Sequence, residues 1–185
     1  MPEIEIRPVS ETDITFLSDL EHAYTSEYAW QMDIVRSQNE GISGAVQVNF
    51  REIRYPHPVR VEYPRPSHAL LEDWETRSGI LVATLAEEPI GYISLALDKA
   101  PETAWITDLV VRRSLHRKGI GSALLLAALE WAANHDCRKV VIELQQKNVP
   151  GIRLAQKIGF DFSGFLDHYF PNNDIGLFFT KTIWY

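Results

Sequence analysis

The 185 residues amount to 21.2 kDa, are 45% apolar and 23% charged, and carry a formal net charge of −7, which suits one domain with its own core and is short for two. The acidic excess argues against a nucleic-acid backbone as partner, and the single cysteine, Cys137, excludes an intramolecular disulfide and a zinc site built on several cysteines, so no metal is expected. Residues 1–8 lack the apolar core of a signal peptide, and the longest nearly apolar run, 123–133, is too short to cross a bilayer; a cytoplasmic protein with no membrane partner is expected.

In chain order, Ile4, Ile6 and Pro8 alternate with Glu5 and Arg7 and predict a first strand. Ser10 is a candidate N-cap, with Asp13 three residues on, for a helix carrying Ile14, Phe16, Leu17 and Leu20. The stretch 24–74 is rich in aromatics and holds Pro56, Pro58, Pro64 and Pro66; it reads as a short helix near Tyr28, a strand over 46–53, a proline-bound extended segment and a short helix over 69–75. From residue 80 the pattern sharpens: a hairpin of strands over 80–86 and 90–97, then a nearly continuous apolar strand over 104–112 interrupted by Thr107 and Asp108. A basic, glycine-containing loop over 112–121 leads into a helix with Ile120, Leu124, Ala128 and Trp131 on one face. A buried strand over 139–144, a helix over 150–158 closed by Gly159, and strands over 162–168 and 175–183 complete the chain. Antiparallel strands followed by a strand-helix-strand-helix-strand run predict a mixed α/β (α+β) sheet in a single domain, 1–185.

The loop His116-Arg117-Lys118-Gly119-Ile120-Gly121-Ser122 joins a strand to a helix. Glycines let the backbone approach a ligand closely, and a helix N-terminus offers unpaired N–H groups and a positive dipole end. Arg112, Arg113, Arg117 and Lys118 add charge, so the loop predicts an anion site for a phosphate ligand. The nucleoside-triphosphate pattern GxxxxGK[ST] is absent. A dinucleotide fingerprint would need a third glycine where Leu124 stands, although Glu143 lies at a fitting distance for its acidic partner.

These residues resemble the GNAT acetyltransferase superfamily. Its cofactor motif R/Q-x-x-G-x-G/A matches 116–121, with His116 in place of the leading Arg or Gln. Its second pattern, an Asn followed by a helix and Gly-Phe, matches Asn148, Gly151, Leu154, Gly159 and Phe160. The resemblance is close over about 80–183 and loose over 1–79, and the tail from Asp167 to Pro171 with Leu177-Phe178-Phe179 is similar to the ribosomal-protein alanine and streptothricin acetyltransferase branch. It implies a mostly antiparallel sheet splayed between the fourth and fifth strands of the family core, with acetyl-CoA in the gap. Leu109, Val110 and Val111 would offer backbone groups to the pantetheine and the acetyl carbonyl. His116, Arg117, Lys118, Gly119, Ile120, Gly121 and Ser122 would surround the pyrophosphate, and Asn148 with Gly151 would hold the pantetheine arm.

The implied reaction moves an acetyl group to a primary amine of a small molecule or peptide by direct attack in a ternary complex. A lysine-like amine is neutral in only about one of 2,500 molecules at pH 7, so a base is required. Asp108, alone among apolar neighbours, and Glu143, on the neighbouring strand, are the candidates. The tyrosine that often serves the family as acid is Ala155 here, and Tyr169 is the substitute candidate. Tyr28, Trp30, Tyr63 and Trp74 are candidates to cage a cation, and Cys137 reads as packing. The alternative to an enzyme is a non-catalytic acyl-CoA-binding sensor or interaction module. A homodimer is compatible with the family but has no mark in the sequence.

Overall fold

Ser10 starts the first helix as its residue type predicts, and the Asp13 carboxylate accepts both its backbone N–H (2.8 Å) and its hydroxyl (2.7 Å). Arg7, on the preceding strand, grips the same carboxylate with two N–H groups, so one buried acid ties strand to helix. The computed structural model describes residues 4–36 and 46–183; the first three residues of the polar start lie outside them. The elements are β1 (Ile4–Pro8), α1 (Glu11–Ser18), β2 (Tyr24–Arg36), β3 (Val46–Val61), α2 (Ala69–Asp73) with a 3-10 turn at Trp74–Thr76, β4 (Gly79–Leu85), β5 (Glu88–Ala96), β6 (Thr103–Val111), α3 (Ile120–Ala133), β7 (Lys139–Gln145), α4 (Val149–Ile158), β8 (Asp161–Leu166) and β9 (Gly176–Thr182).

Seven strands form one sheet in the order β1-β4-β5-β6-β7-β9-β8, and β2 with β3 forms a separate hairpin. Every pairing in the large sheet is antiparallel except β6 with β7. This topology removes the dinucleotide reading, which needs consecutive parallel units. One face packs on α3 and α4 through Leu124, Leu125, Ala128, Ile152 and Ala155; the other meets α1 and α2 through Ile14, Leu17, Leu70, Val82 and Tyr92. Cys137 is a buried member of the first core, as its position predicts.

Two irregularities shape the sheet. The β6–β7 ladder runs only from Thr103↔Lys139 to Ile106↔Ile142, so beyond these residues the strands separate. At the same level a bulge at Thr107 interrupts the β5–β6 register, between Ser94↔Asp108 and Leu95↔Ile106. An extra residue flips every later side chain to the opposite face. Ala104 and Ile106 pack in the α3–α4 core, whereas after the bulge Val110 packs in the α1–α2 core. The bulge therefore turns Asp108 toward the α1–α2 face.

The expected helix near Tyr28 is instead part of β2, and the expected strand over 46–53 extends to Val61. Pro56 and Pro58 do not end β3 because they fall where pairing lapses: Ser26 faces Val59 and Tyr28 faces Arg54, leaving 55–58 opposite Glu27 alone. Proline is tolerated where no ladder hydrogen bond is required.

Candidate active site

The separation of β6 from β7 leaves a gap flanked by two buried carboxylates. Asp108 is 2% exposed and Glu143 5%. Val140, Ile142 and Leu144 of β7 point into the α3–α4 core, so alternation puts Glu143 on the same face as Asp108.

Each carboxylate is held by side chains from distant segments. Asp108 accepts from the Tyr63 hydroxyl (3.0 Å), from Arg77 (2.8 Å) and from the Thr107 hydroxyl (3.2 Å). Glu143 accepts from Lys99 (2.9 Å), from the Tyr169 hydroxyl (2.9 Å) and from Arg65. Arg65 also donates to the Thr107 carbonyl (2.6 Å), which the bulge turns off the ladder, and lies 3.6 Å from Asp108. It is the one cation among the described residues that reaches both acids. Burial and the Asp108 charge push the Tyr63 hydroxyl well above its usual range, so it remains a donor. Burial lowers Lys99, and the neighbouring Arg65 lowers it further. Burial pulls Arg77 down, but its pairs with Asp73 and Asp108 more than offset this.

Tyr169 sits in the β8–β9 connection. Its ring lies so close over Gly176 that a Cβ there would stand 2.6 Å from a ring carbon, and it meets Phe170 and Phe178 edge-on. Its hydroxyl is thereby directed at Glu143. Ala155, at the usual tyrosine position, is fully buried in the core.

On the phosphate side, Gly119 is the N-cap of α3 with φ +87°, and a Cβ there would meet nothing within 4 Å. The N–H groups of residues 119–122 have no partner among the described residues. Arg117, itself at φ +65°, and Lys118 are exposed and form no ion pair among those residues. One expectation needs correction, and two residues expected at the pyrophosphate also serve the fold. Arg112 and Arg113 do not charge this loop, because they pair with Glu88 and Glu21. His116 donates through Nε2 to the Val111 carbonyl (2.7 Å), so it closes the turn and occupies one of the backbone groups expected to face the pantetheine. Gly121 makes room for α4, since a Cβ would stand 3.0 Å from Leu154.

Asn148 is the N-cap of α4, its Oδ1 accepting the Gly151 N–H at 3.0 Å. Gly151 is needed for that cap, since its Cβ would stand 2.8 Å from Oδ1; the Asn148 Nδ2 has no partner among the described residues. Just past β7, the Gln146 side-chain oxygen is buried without a donor. The four aromatics proposed as a cage divide between two places: Tyr28 and Trp30 pack on the α3–α4 core, Tyr63 and Trp74 on the α1–α2 core. Arg51, Arg54 and Arg60 form exposed pairs with Asp33, Glu27 and Glu62.

A sequence profile of the Acetyltransferase (GNAT) family matches residues 47–160. The chain belongs to this family. The match begins earlier than the close resemblance over about 80–183 and takes in β3 and α2. An uncharacterized N-acetyltransferase of Bacillus subtilis, YvbK, is 29% identical over 109 residues, 56% of this chain and 70% of that protein. The spermine/spermidine N(1)-acetyltransferase of Bacillus subtilis is 30% identical over 64 residues, 34% of this chain and 42% of that enzyme, so the match spans less than half its length. The fold is that of nourseothricin acetyltransferase (TM-score 0.78, 16% identity, 97% of this chain and 98% of that one). It is equally that of a Bacillus anthracis protein described as a putative streptothricin acetyltransferase, solved in complex with acetyl coenzyme A (TM-score 0.76, 16% identity, 98% of this chain and 99% of that one). As in the expected architecture, this GNAT fold has a mostly antiparallel sheet that opens between β6 and β7. No helix among the described residues is long and apolar enough to cross a membrane.

Proposed function

We propose that this GNAT protein transfers an acetyl group from acetyl-CoA to a primary amine, with Glu143 as base, Tyr169 as acid and Asp108 as the fixed anchor of the acceptor site. The observation that carries the reading is the convergence of Asp108, Glu143 and Tyr169 at the gap between β6 and β7.

The chain fits acetyl-CoA on four counts. The unpaired N–H groups at the start of α3, beside Arg117 and Lys118, suit a pyrophosphate. The open space at Gly119 admits it without a side chain in the way. The orphaned Gln146 oxygen beyond β7 suits an amide N–H donor such as pantetheine carries. The unpaired edge of β6 at Leu109 and Val110 leaves backbone groups for the same arm and for the thioester carbonyl.

Asp108 and Glu143 differ in how firmly they are held. Tyr63, Arg77 and Thr107 occupy both oxygens of Asp108, and Arg77 is itself clamped by Asp73. Glu143 is held by Arg65, Lys99 and Tyr169, and its two cations are 30% and 32% exposed, whereas Arg77, which holds Asp108, is 12% exposed. Glu143 is therefore the carboxylate that can exchange a partner for an incoming ammonium. An ammonium loses two protons on becoming an amide: the first lets nitrogen attack the thioester carbon, and the second leaves after the C–N bond forms. Glu143 accepts a proton, the C–S bond breaks, and the Tyr169 hydroxyl protonates the departing sulfur. The hydrogen bond from Tyr169 to Glu143 then lets the carboxylic acid restore the phenol, and the remaining proton goes to solvent.

The test is thiol release from acetyl-CoA against a panel of small amines and N-terminal peptides, with thermal shift in parallel. Release with one acceptor class supports the enzyme and identifies its substrates. Stabilisation by acetyl-CoA with no release from any acceptor would favour a binding module instead.

A further inference from the structure

Arg65 lies where an acceptor has to go. Its segment, between Pro64 and Pro66, connects β3 to α2 and belongs to neither element. Its side chain is 30% exposed, whereas the Glu143 side chain it covers is 0% exposed. The guanidinium has three acceptors around it: Glu143, the Thr107 carbonyl and Asp108. Such a ring of two carboxylates and one carbonyl across the gap suits any compact cation, an ammonium as well as a guanidinium.

Among the side chains in direct ion-pair contact at the gap, the charges balance while Arg65 is in place. Arg65, Arg77 and Lys99 face Asp73, Asp108 and Glu143. Arg77 is 12% exposed and bound by two carboxylates, and Lys99 touches Glu143 alone of the carboxylates while lying over the Trp105 ring. With Arg65 withdrawn, each remaining cation stays with its own acid and the site is short of one positive charge. The deficit equals the charge of one protonated amine, and the position adjoins Glu143.

We propose that Arg65 is a resident stand-in for the acceptor: its guanidinium fills the cation seat formed by Glu143, Asp108 and the Thr107 carbonyl, and the acceptor binds as an ammonium ion by displacing it. Arg65 then sets specificity. An acceptor that arrives neutral gains nothing from the seat, and an anionic group is repelled by it. This inference rests on the assignment of the gap as the acceptor site, but its test does not depend on turnover.

The test uses methylguanidinium and methylammonium as probes, read by thermal shift with the full chain at about 1–20 mM probe. Arg65→Met, which keeps an apolar stem, is predicted to be stabilised by both cations, whereas the wild type is not. Adding Glu143→Gln to Arg65→Met is predicted to abolish the stabilisation. Arg65→Gln is the second variant, with the same expectation, should the first fold poorly. Because no acetyl transfer is measured, a chain that releases no thiol can still pass or fail. Equal responses in wild type and variants, or a response that survives Glu143→Gln, would overturn the proposal; a purely structural Arg65 would lower the melting temperature without creating a cation site.

Discussion

Replacing Tyr169 with Phe separates the two things its hydroxyl can do. The ring keeps its seat over Gly176 and its edge contacts with Phe170 and Phe178, so only the 2.9 Å hydrogen bond to Glu143 is lost. A hydrogen bond to a charged group is worth about 1.5–3 kcal/mol, which for a chain of this size lowers the melting temperature by roughly 3–12 °C. A positioned acid contributes ~10²–10⁴-fold in rate, or about 3–5 kcal/mol of barrier. The assay is kcat for thiol release at saturating acetyl-CoA and amine, with acetyl-CoA affinity measured separately by thermal shift. The expected result is a fall of at least ~100-fold in kcat with affinity for acetyl-CoA unchanged. Gly176→Ala provides an independent check, because its Cβ would stand 2.6–2.9 Å from Tyr169 atoms and must displace the ring while leaving the hydroxyl present; it is predicted to lower kcat as well. A drop in melting temperature with kcat reduced less than about three-fold in Tyr169→Phe would refute the acid role and leave the hydroxyl as a support for Glu143.

Three further outcomes rest on the same structure. Gly119→Ala adds a Cβ in open space but at φ +87°, so it is predicted to cost about 1–2 kcal/mol of stability. Gly119→Glu adds a carboxylate at the phosphate position, where two charges about 4 Å apart repel by ~4 kcal/mol at an effective dielectric of 20; calorimetric titration is predicted to show loss of acetyl-CoA binding, and normal binding would sink the motif assignment. Asp13, held near a pKa of about 2 first by its hydrogen bonds from Arg7 against the opposing effect of burial, has a folded value below its ordinary one. Its stabilisation is present above about pH 4 and lost as pH falls toward 2, an effect of ~2 kcal/mol. Urea unfolding of Asp13→Asn across that window is predicted to show a correspondingly flatter acid dependence; an unchanged slope would contradict the pairing.

From Gly79 onward each element ends within two or three residues of where hydropathy and turn residues place it, because each strand or helix there carries its own period and its own punctuation. The hairpin was less legible. Tyr24, Tyr28 and Val35 sit on β2 without a clean alternation, and prolines in β3 look like breakers until the lapse in pairing opposite Glu27 is seen. In the sequence, Asp108 is a charge within an apolar strand, Glu143 ends a buried run on the neighbouring strand, and Tyr169 is the substitute for the family tyrosine replaced by Ala155. That the three converge depends on the Thr107 bulge, which no residue type announces. The supporting Arg65, Arg77 and Lys99 come from connections whose approach to β6 and β7 is set by tertiary packing. The only local sign was an arginine confined between Pro64 and Pro66. His116, Gly121, Asn148 and Gly151 match the ligand motifs, yet each also closes a turn, admits a neighbouring helix or caps one.

The most direct measurement compares wild type with Glu143→Gln for acetyl-CoA binding and for thiol release in the same preparation. If Glu143 is the base, binding is unchanged and thiol release falls by at least ~100-fold, the loss of a positioned base. Thiol release within about five-fold of wild type from a folded Glu143→Gln protein would contradict the assignment of the β6–β7 gap as a Glu143-driven acetyl-transfer site.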